Sequence, residues 1–123
     1  MTIYVLRHGE TDENKEGIMQ GNMETLLNEN GRKQAMSVRE KVKEAGIDLV
    51  ISSPKVRAKE TAILAAPGIE LIEDARLLSR NHGEFEGMRR DEVNLHDYWN
   101  IKKNIQYKEA ESVGEIFNRV SSL

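Results

Sequence analysis

Ile3-Tyr4-Val5-Leu6 runs directly into Arg7-His8-Gly9-Glu10-Thr11, and Leu49-Val50-Ile51 runs into Ser52-Ser53-Pro54 with Arg57 just beyond. Both stretches have the same build: a short apolar run rich in β-formers, then polar residues and a turn-former. Each run reads as a buried strand, too short for a helix of useful length. Between them, Asn28 reads as an N-cap. Ala35, Val38, Val42 and Ala45 follow at helical spacing, and Gly46 closes the helix. After the second run, Ser53 as N-cap and Pro54 at the first helical position open a helix that continues through Arg57 and Thr61 to about Ala66, where Pro67-Gly68 breaks it. Residues 69–72 form a third short strand. This β-α-β-α-β alternation predicts an α/β fold: a mostly parallel sheet with helices on both faces.

Residues 7–22 contain Gly9, Gly17 and Gly21 and many polar side chains, which predicts a long loop of the kind that usually carries function. Residues 74–87 read as loop again. Residues 88–105 are weakly helical and heavily charged, with Tyr98 and Trp99 as apolar anchors. Ser112-Val113-Gly114-Glu115 is a capping box, and Val113, Ile116, Phe117 and Val120 lay an apolar stripe along the helix it opens.

The 123 residues suit a single domain, residues 1–123. A 38% hydrophobic and 32% charged composition suits a soluble globular chain. The formal net charge is −3 with acids and bases interleaved, so no basic face is offered to nucleic acid. The chain has no cysteine, which excludes disulfides and thiolate chemistry. No apolar stretch approaches membrane-spanning length, and the N-terminal run is too short for a signal peptide. The expectation is a cytoplasmic protein with no membrane and no nucleic-acid partner.

In an open parallel sheet, ligands bind in the crevice outside the carboxyl ends of the strands. Arg7, His8 and Arg57 all fall on that edge. Arginine's planar fork pairs with phosphate oxygens, and a histidine among such groups can attack phosphorus and carry it covalently. Gly9 is expected to let backbone approach the oxygens, and the N-terminus of the helix starting at Pro54 is expected to lend its dipole. A metal reading of His8, Glu10 and Asp12 fits no ligand template.

Arg7-His8-Gly9-Glu10-Thr11 with Asn14, then Leu27-Asn28, Gly31, Gln34 and Ala35, then Ser52-Ser53-Pro54 with Arg57-Ala58 and Thr61-Ala62, then Gly83-Glu84-Phe85-Glu86-Gly87, and finally Ala110-Glu111-Ser112 together resemble the successive signatures of the histidine phosphatase superfamily, which includes the cofactor-dependent phosphoglycerate mutases. The resemblance spans essentially the whole chain and implies a phosphoglycerate mutase-like fold. It implies His8 as the nucleophile that becomes phosphohistidine, Arg7 and Arg57 as phosphoryl ligands, Asn14 as support for the phosphate pocket, and Gln20 and Gly21 on the substrate side. It implies no metal and no cofactor.

Two departures from the family pattern stand out. Ser79 occupies the place of a glutamate four residues before the glycine aligned with Gly83, so Glu84 is the candidate general acid, with Glu86 behind it. The family's second active-site histidine, on a later strand in a Ser-His-Gly-like segment, has no counterpart here. In the family that strand pairs beside the first strand. This chain therefore reads as a C-terminally truncated form, with a strand supplied by a partner chain as the alternative. His82 and His96 read as surface or packing residues. Residues 88–111 read as a cap segment in which Arg89, Arg90, Lys102 and Lys103 form a solvated helix face, the alternative being that they meet an anionic substrate. The expected activity is hydrolysis of small phosphomonoesters; the alternatives are mutase-type phosphoryl transfer and non-catalytic phosphoester binding. The expected partner is a small phosphorylated metabolite, and an unpaired sheet edge makes a homodimer possible.

Overall fold

The computed structural model describes residues 1–123. Its elements in chain order are α1 (Asp12–Glu16), α2 (Glu29–Ser37), α3 (Arg39–Ala45), β1 (Leu49–Ser52), α4 (Val56–Ala65), β2 (Glu70–Glu73), α5 (Leu95–Tyr98) and α6 (Val113–Ser121). Single 3-10 turns lie at Ala75–Leu77, Gly83–Phe85 and Arg90–Glu92. β1 and β2 pair in parallel, with Leu49 opposite Glu70 and Ser52 opposite Glu73. α4 is the crossover between them and packs on α2, on α3 and on β1.

Local chemistry places the helix ends. Asn28 caps α2 through its side chain on the Gly31 N–H, and Gly46 ends α3 in the left-handed region at φ 64°. The single helix expected from residue 28 to 46 is divided at Val38, the shared cap of α2 and α3. Ser112 and Glu115 form the expected capping box on α6. The long loop after His8 contains α1, itself opened by a capping box between Thr11 and Asn14.

Three expectations are corrected. α4 begins at Val56 with Lys55 as N-cap, rather than at Ser53-Pro54. The predicted strand at residues 3–6 is unpaired: residues 1–8 make no backbone–backbone hydrogen bond, and Ile3 and Val5 are 73% and 94% exposed. A strand is defined by its partner, and neither edge of the β1–β2 pair reaches this segment. β1 and β2 are likewise not buried as read from their apolar content, since Leu49, Ile51 and Ile72 are exposed. The accessible surface is 8077 Å² for a chain of 14.0 kDa. A compact monomer of that mass exposes about 6,700 Å². The excess is the uncovered side of this sheet and the residues around it. The stripe on α6 contributes to it, because Phe117 and Val120 face solvent.

The remaining core lies between α2, α4 and the loops of the C-terminal half. Arg80 organises the latter. It is 3% exposed, donates from Nε to the Glu111 carbonyl and from Nη1 to the Tyr98 carbonyl, and lies with its guanidinium carbon 3.6 Å from the Tyr98 ring centre. Arg119 on α6 reaches Glu111 through both carboxylate oxygens (2.8 and 2.9 Å) and the carbonyls of Arg76 and Leu78 (2.8 Å each). Burial raises the Glu111 pKa, but Arg119 and the Asn81 N–H outweigh it and hold the carboxyl below its ordinary value. The buried Arg80 and the half-buried Arg119 fasten α6 and the segment around Tyr98 to residues 76–82.

Candidate active site

A cavity of about 330 Å³ opens beside His8. It is lined by Arg7, His8, Asn14, Ile18, Met19, Gln20, Gly21, Arg57, Ser79, His82, Arg90, Leu95 and Trp99. Six of the seven expected site residues are therefore together. Glu84 is not: it is exposed and lies outside the cavity. Glu86 is nearer, but its Oε1 accepts the Asn22 N–H at 2.8 Å. Every ionisable side chain lining the cavity is arginine or histidine, and no carboxylate is among them.

The loop carrying His8 is fixed from the side of the helices. The Gly9 N–H donates to Thr61 Oγ1 (2.9 Å), which in turn donates to the Arg57 carbonyl (2.7 Å). Glu10 N–H donates to Gln34 Oε1 (2.9 Å), and the Asn28 N–H donates to the Glu10 carbonyl (3.0 Å). Gly9 serves this docking rather than the phosphate approach expected of it: a Cβ there would lie 2.4 Å from the Gly31 carbonyl oxygen.

His8 Nδ1 lies 2.7 Å from the Gly9 carbonyl oxygen. A carbonyl only accepts, so Nδ1 carries the proton and Nε2 keeps its lone pair. Nε2 makes no hydrogen bond and is not sealed from solvent. Burial lowers the His8 pKa, and the positive charges of Arg57 and Arg7 lower it further against the Gly9 bond, so the ring is neutral at neutral pH. This is the state a nucleophilic imidazole needs.

Arg57 is 2% exposed. Its Nη1 donates to the Met23 carbonyl (2.6 Å) and Thr25 Oγ1 (3.2 Å), and its Nη2 to the Gly21 carbonyl (2.7 Å). Nε–H and one Nη2 hydrogen remain uncommitted. Asn14 Oδ1 accepts the Thr11 N–H (3.1 Å), and Gln20 Oε1 accepts from the hydroxyls of Thr11 (2.9 Å) and Thr25 (2.5 Å). Their amide NH2 groups are thereby left over as donors. The helix dipole expected to serve the site is already in use, because the Val56 N–H at the start of α4 donates to Glu24 Oε1 at 2.8 Å. Arg57→Ala leaves the carbonyls of Gly21 and Met23 without their donor inside the protein. We expect a stability loss of about 3 kcal/mol in urea denaturation and loss of phosphate binding.

Two residues that the sequence reading weighed and set outside the site, His82 and Arg90, line the cavity. The backbone of residues 17–19 pairs with that of residues 87–90, with Met19 N–H on the Met88 carbonyl and Arg90 N–H on the Gly17 carbonyl (2.8 Å each). This pairing carries Arg90 to the cavity, while Arg89 pairs outward with Asp91 and Lys103 with Asp97. His96 is exposed, as expected. His82 is only 9% exposed. Its pKa is lowered to about 4, first by burial and then by Arg80, Arg90 and Arg57. An unfolded His82 takes up its proton near pH 6.5, and the folded one only near 4. The unfolded state therefore binds more protons in that window, and stability falls as pH falls through it, by about 3 kcal/mol in all. Urea midpoints at pH 7 and pH 4.5 measure this, and His82→Phe flattens the difference.

A second concavity, of about 410 Å³, lies between α1 and the start of α2 and is lined by mixed charges and asparagines with no apolar residue. No group of three or more His, Asp or Glu side chains is arranged to hold a metal ion. No helix is long and apolar enough to cross a membrane.

The α/β frame thus presents a neutral histidine among arginines at one loop edge. The chain belongs to the histidine phosphatase superfamily, branch 1, whose family profile matches residues 3–123. It is 35% identical over 91 residues to a probable phosphatase of Schizosaccharomyces pombe, covering 72% of this chain and 44% of that one. It is 34% identical to the probable phosphoglycerate mutase GpmB of Escherichia coli, covering 99% of this chain and 60% of that one. Among solved structures, YhfR of Bacillus stearothermophilus superposes with a TM-score of 0.83 at 28% identity, over 94% of this chain and 61% of that one. A mycobacterial glucosyl-3-phosphoglycerate phosphatase in complex with VO3 superposes at 0.81 and 26%, over 94% and 61%. The fold is thus the expected phosphoglycerate mutase-like α/β fold. The chain spans about half the length of the curated relatives it matches.

Proposed function

We propose that this chain is the phosphate-handling part of a phosphatase acting on small phosphomonoesters through His8. The observation that carries this reading is the cavity's lining: arginines, neutral histidines and amide donors, with no carboxylate. In the proposed reaction, the ester's phosphoryl oxygens lie on Arg7 and Arg57, with Asn14 and Gln20 donating beside them. The Nε2 lone pair of His8 attacks phosphorus. A P–N bond forms, the P–O bond to the alcohol breaks, and the alcohol oxygen leaves with the electron pair. Water then attacks the phosphohistidine, which releases inorganic phosphate and returns the lone pair to Nε2.

Because no carboxylate lines the cavity, the leaving oxygen must depart with little help from a general acid. An ester of an acidic alcohol, p-nitrophenyl phosphate above all, is therefore the substrate that this chain is expected to turn over most readily. Mutase-type transfer needs a second phosphorylated ligand in place of water, and the short segments around the cavity favour hydrolysis.

Orthovanadate, a mimic of five-coordinate phosphorus, separates catalysis from mere binding, since an enzyme holds its transition state more tightly than its ground state. We expect vanadate to bind at least about 100-fold more tightly than phosphate. Equal affinities would reduce the chain to a phosphate binder.

A further inference from the structure

His82 lies in the same cavity as His8 and has a partner that fixes its chemistry. Its Nδ1 is 2.6 Å from Tyr98 Oη. Tyr98 is 1% exposed, and its hydroxyl has no other hydrogen-bond partner. If Nδ1 were the donor, the buried hydroxyl proton would have nowhere to go. If the hydroxyl donates to Nδ1, both groups are satisfied. Burial pushes the Tyr98 pKa up to about 12, so the hydroxyl keeps its proton to donate. A neutral imidazole that accepts at Nδ1 carries its own proton on Nε2.

That Nε2 makes no hydrogen bond to the protein, and it is not among the polar atoms sealed without a partner. It therefore opens onto the cavity that His82 lines. The ring is held rigidly. Trp99 meets it edge-on with ring centres 6.3 Å apart, and Gly21 packs so closely that a Cβ there would lie 2.7 Å from His82 Cδ2. Gly21 is also the residue whose carbonyl takes the Arg57 Nη2 bond, so His82 and Arg57 both meet one residue.

Resting on the phosphatase reading above, we propose that His82 is a substrate-touching hydrogen-bond donor, its Nε2–H fixed by Tyr98 and offered to a phosphoryl oxygen held by Arg57. Arg57, Arg80, Arg90 and Glu86 are the charged groups around it. Surrounded mainly by guanidinium groups, the ring serves better as a neutral donor than as another cation. It supplies direction to a site already rich in charge. Ser79 stands where the family carries a carboxylic acid, so His82 adds a donor on a wall that otherwise holds only a hydroxyl.

The test is a long-range 1H–15N spectrum of the histidine rings at pH 7, titrated with inorganic phosphate. The chain's three histidines make assignment simple. We expect His82 in the Nε2–H form, with both its Nε2 and the His8 ring nitrogens shifting at the same phosphate concentration. Tyr98→Phe is expected to replace the single tautomer by a mixture. His82→Phe, which keeps the ring's packing, is expected to weaken phosphate binding about tenfold, while His82→Gln, whose Nε2–H2 reaches the same place, binds within about threefold of the parent; a packing role would give the opposite order. A shift at His8 with none at His82, or equal affinity in the His82→Phe protein, overturns the donor and leaves the phosphate site standing. No shift at either ring overturns both.

Discussion

Replacing His8 by alanine is expected to lower hydrolysis of p-nitrophenyl phosphate at least about 1,000-fold while inorganic phosphate still binds within a few-fold of its original affinity. The two halves of this result follow from separate atoms. On the proposed reading phosphate is held by Arg7, Arg57, the amides of Asn14 and Gln20 and the His82 Nε2–H, none of which is anchored through the His8 imidazole. Bond making rests on His8 Nε2 alone, the one nucleophilic lone pair left free by the Nδ1 bond to the Gly9 carbonyl. The parent chain, quenched during turnover, should show a phosphorus resonance of phosphohistidine, and the His8→Ala chain none. Turnover that survives the substitution would place the chemistry elsewhere and sink the nucleophile assignment.

Gly31→Ala is expected to cost about 4 kcal/mol or more, measured from urea midpoints, although alanine is the better helix former. A Cβ on Gly31 would lie 2.1 Å from the Glu10 carbonyl oxygen and 2.7 Å from the Glu10 nitrogen. Both atoms are backbone, so no side chain can swing aside. α2 must move away from the loop that carries His8, and the Gly9 and Glu10 contacts go with it. Gly46→Ala is the contrast. Gly46 is strained for any L-residue at φ +64°, yet nothing lies within 4 Å of its would-be Cβ. That change is expected to cost only about 1 kcal/mol. Equal losses at the two positions would show that the close approach of α2 to the loop carries no stability.

This close approach also shows what the sequence could and could not disclose. The glycine at position 31 was legible as part of a motif, and the periodicity of residues 35–45 gave the helices, but the contact of Gly31 with Gly9 lies 22 positions away and leaves no local trace. Arg7, His8 and Arg57 were legible from motif and expected strand-end position together, and Asn14, Gln20 and Gly21 from the family resemblance alone. Glu84 lies outside the cavity because adjacency to a signature glycine says nothing of direction, and the turn at Gly83–Phe85 leaves it exposed. His82 was set outside the site because its partner, Tyr98, is 16 residues on and its burial depends on Arg80 and Trp99 closing around it. The strand at residues 3–6 was read from composition, yet strand formation is a property of two segments, and no other segment shares a backbone hydrogen bond with this one.

That unpaired segment gives Arg7 a second task. Four β-prone apolar residues with open amide edges form a template on which further chains can add. A charge at the end of such a run is the usual safeguard against that growth. Arg7 supplies it, and the same guanidinium faces the cavity that collects anions. A phosphate held there cancels the guarding charge. On the proposed reading of the site, filling it and guarding the apolar run would make opposite demands on one side chain.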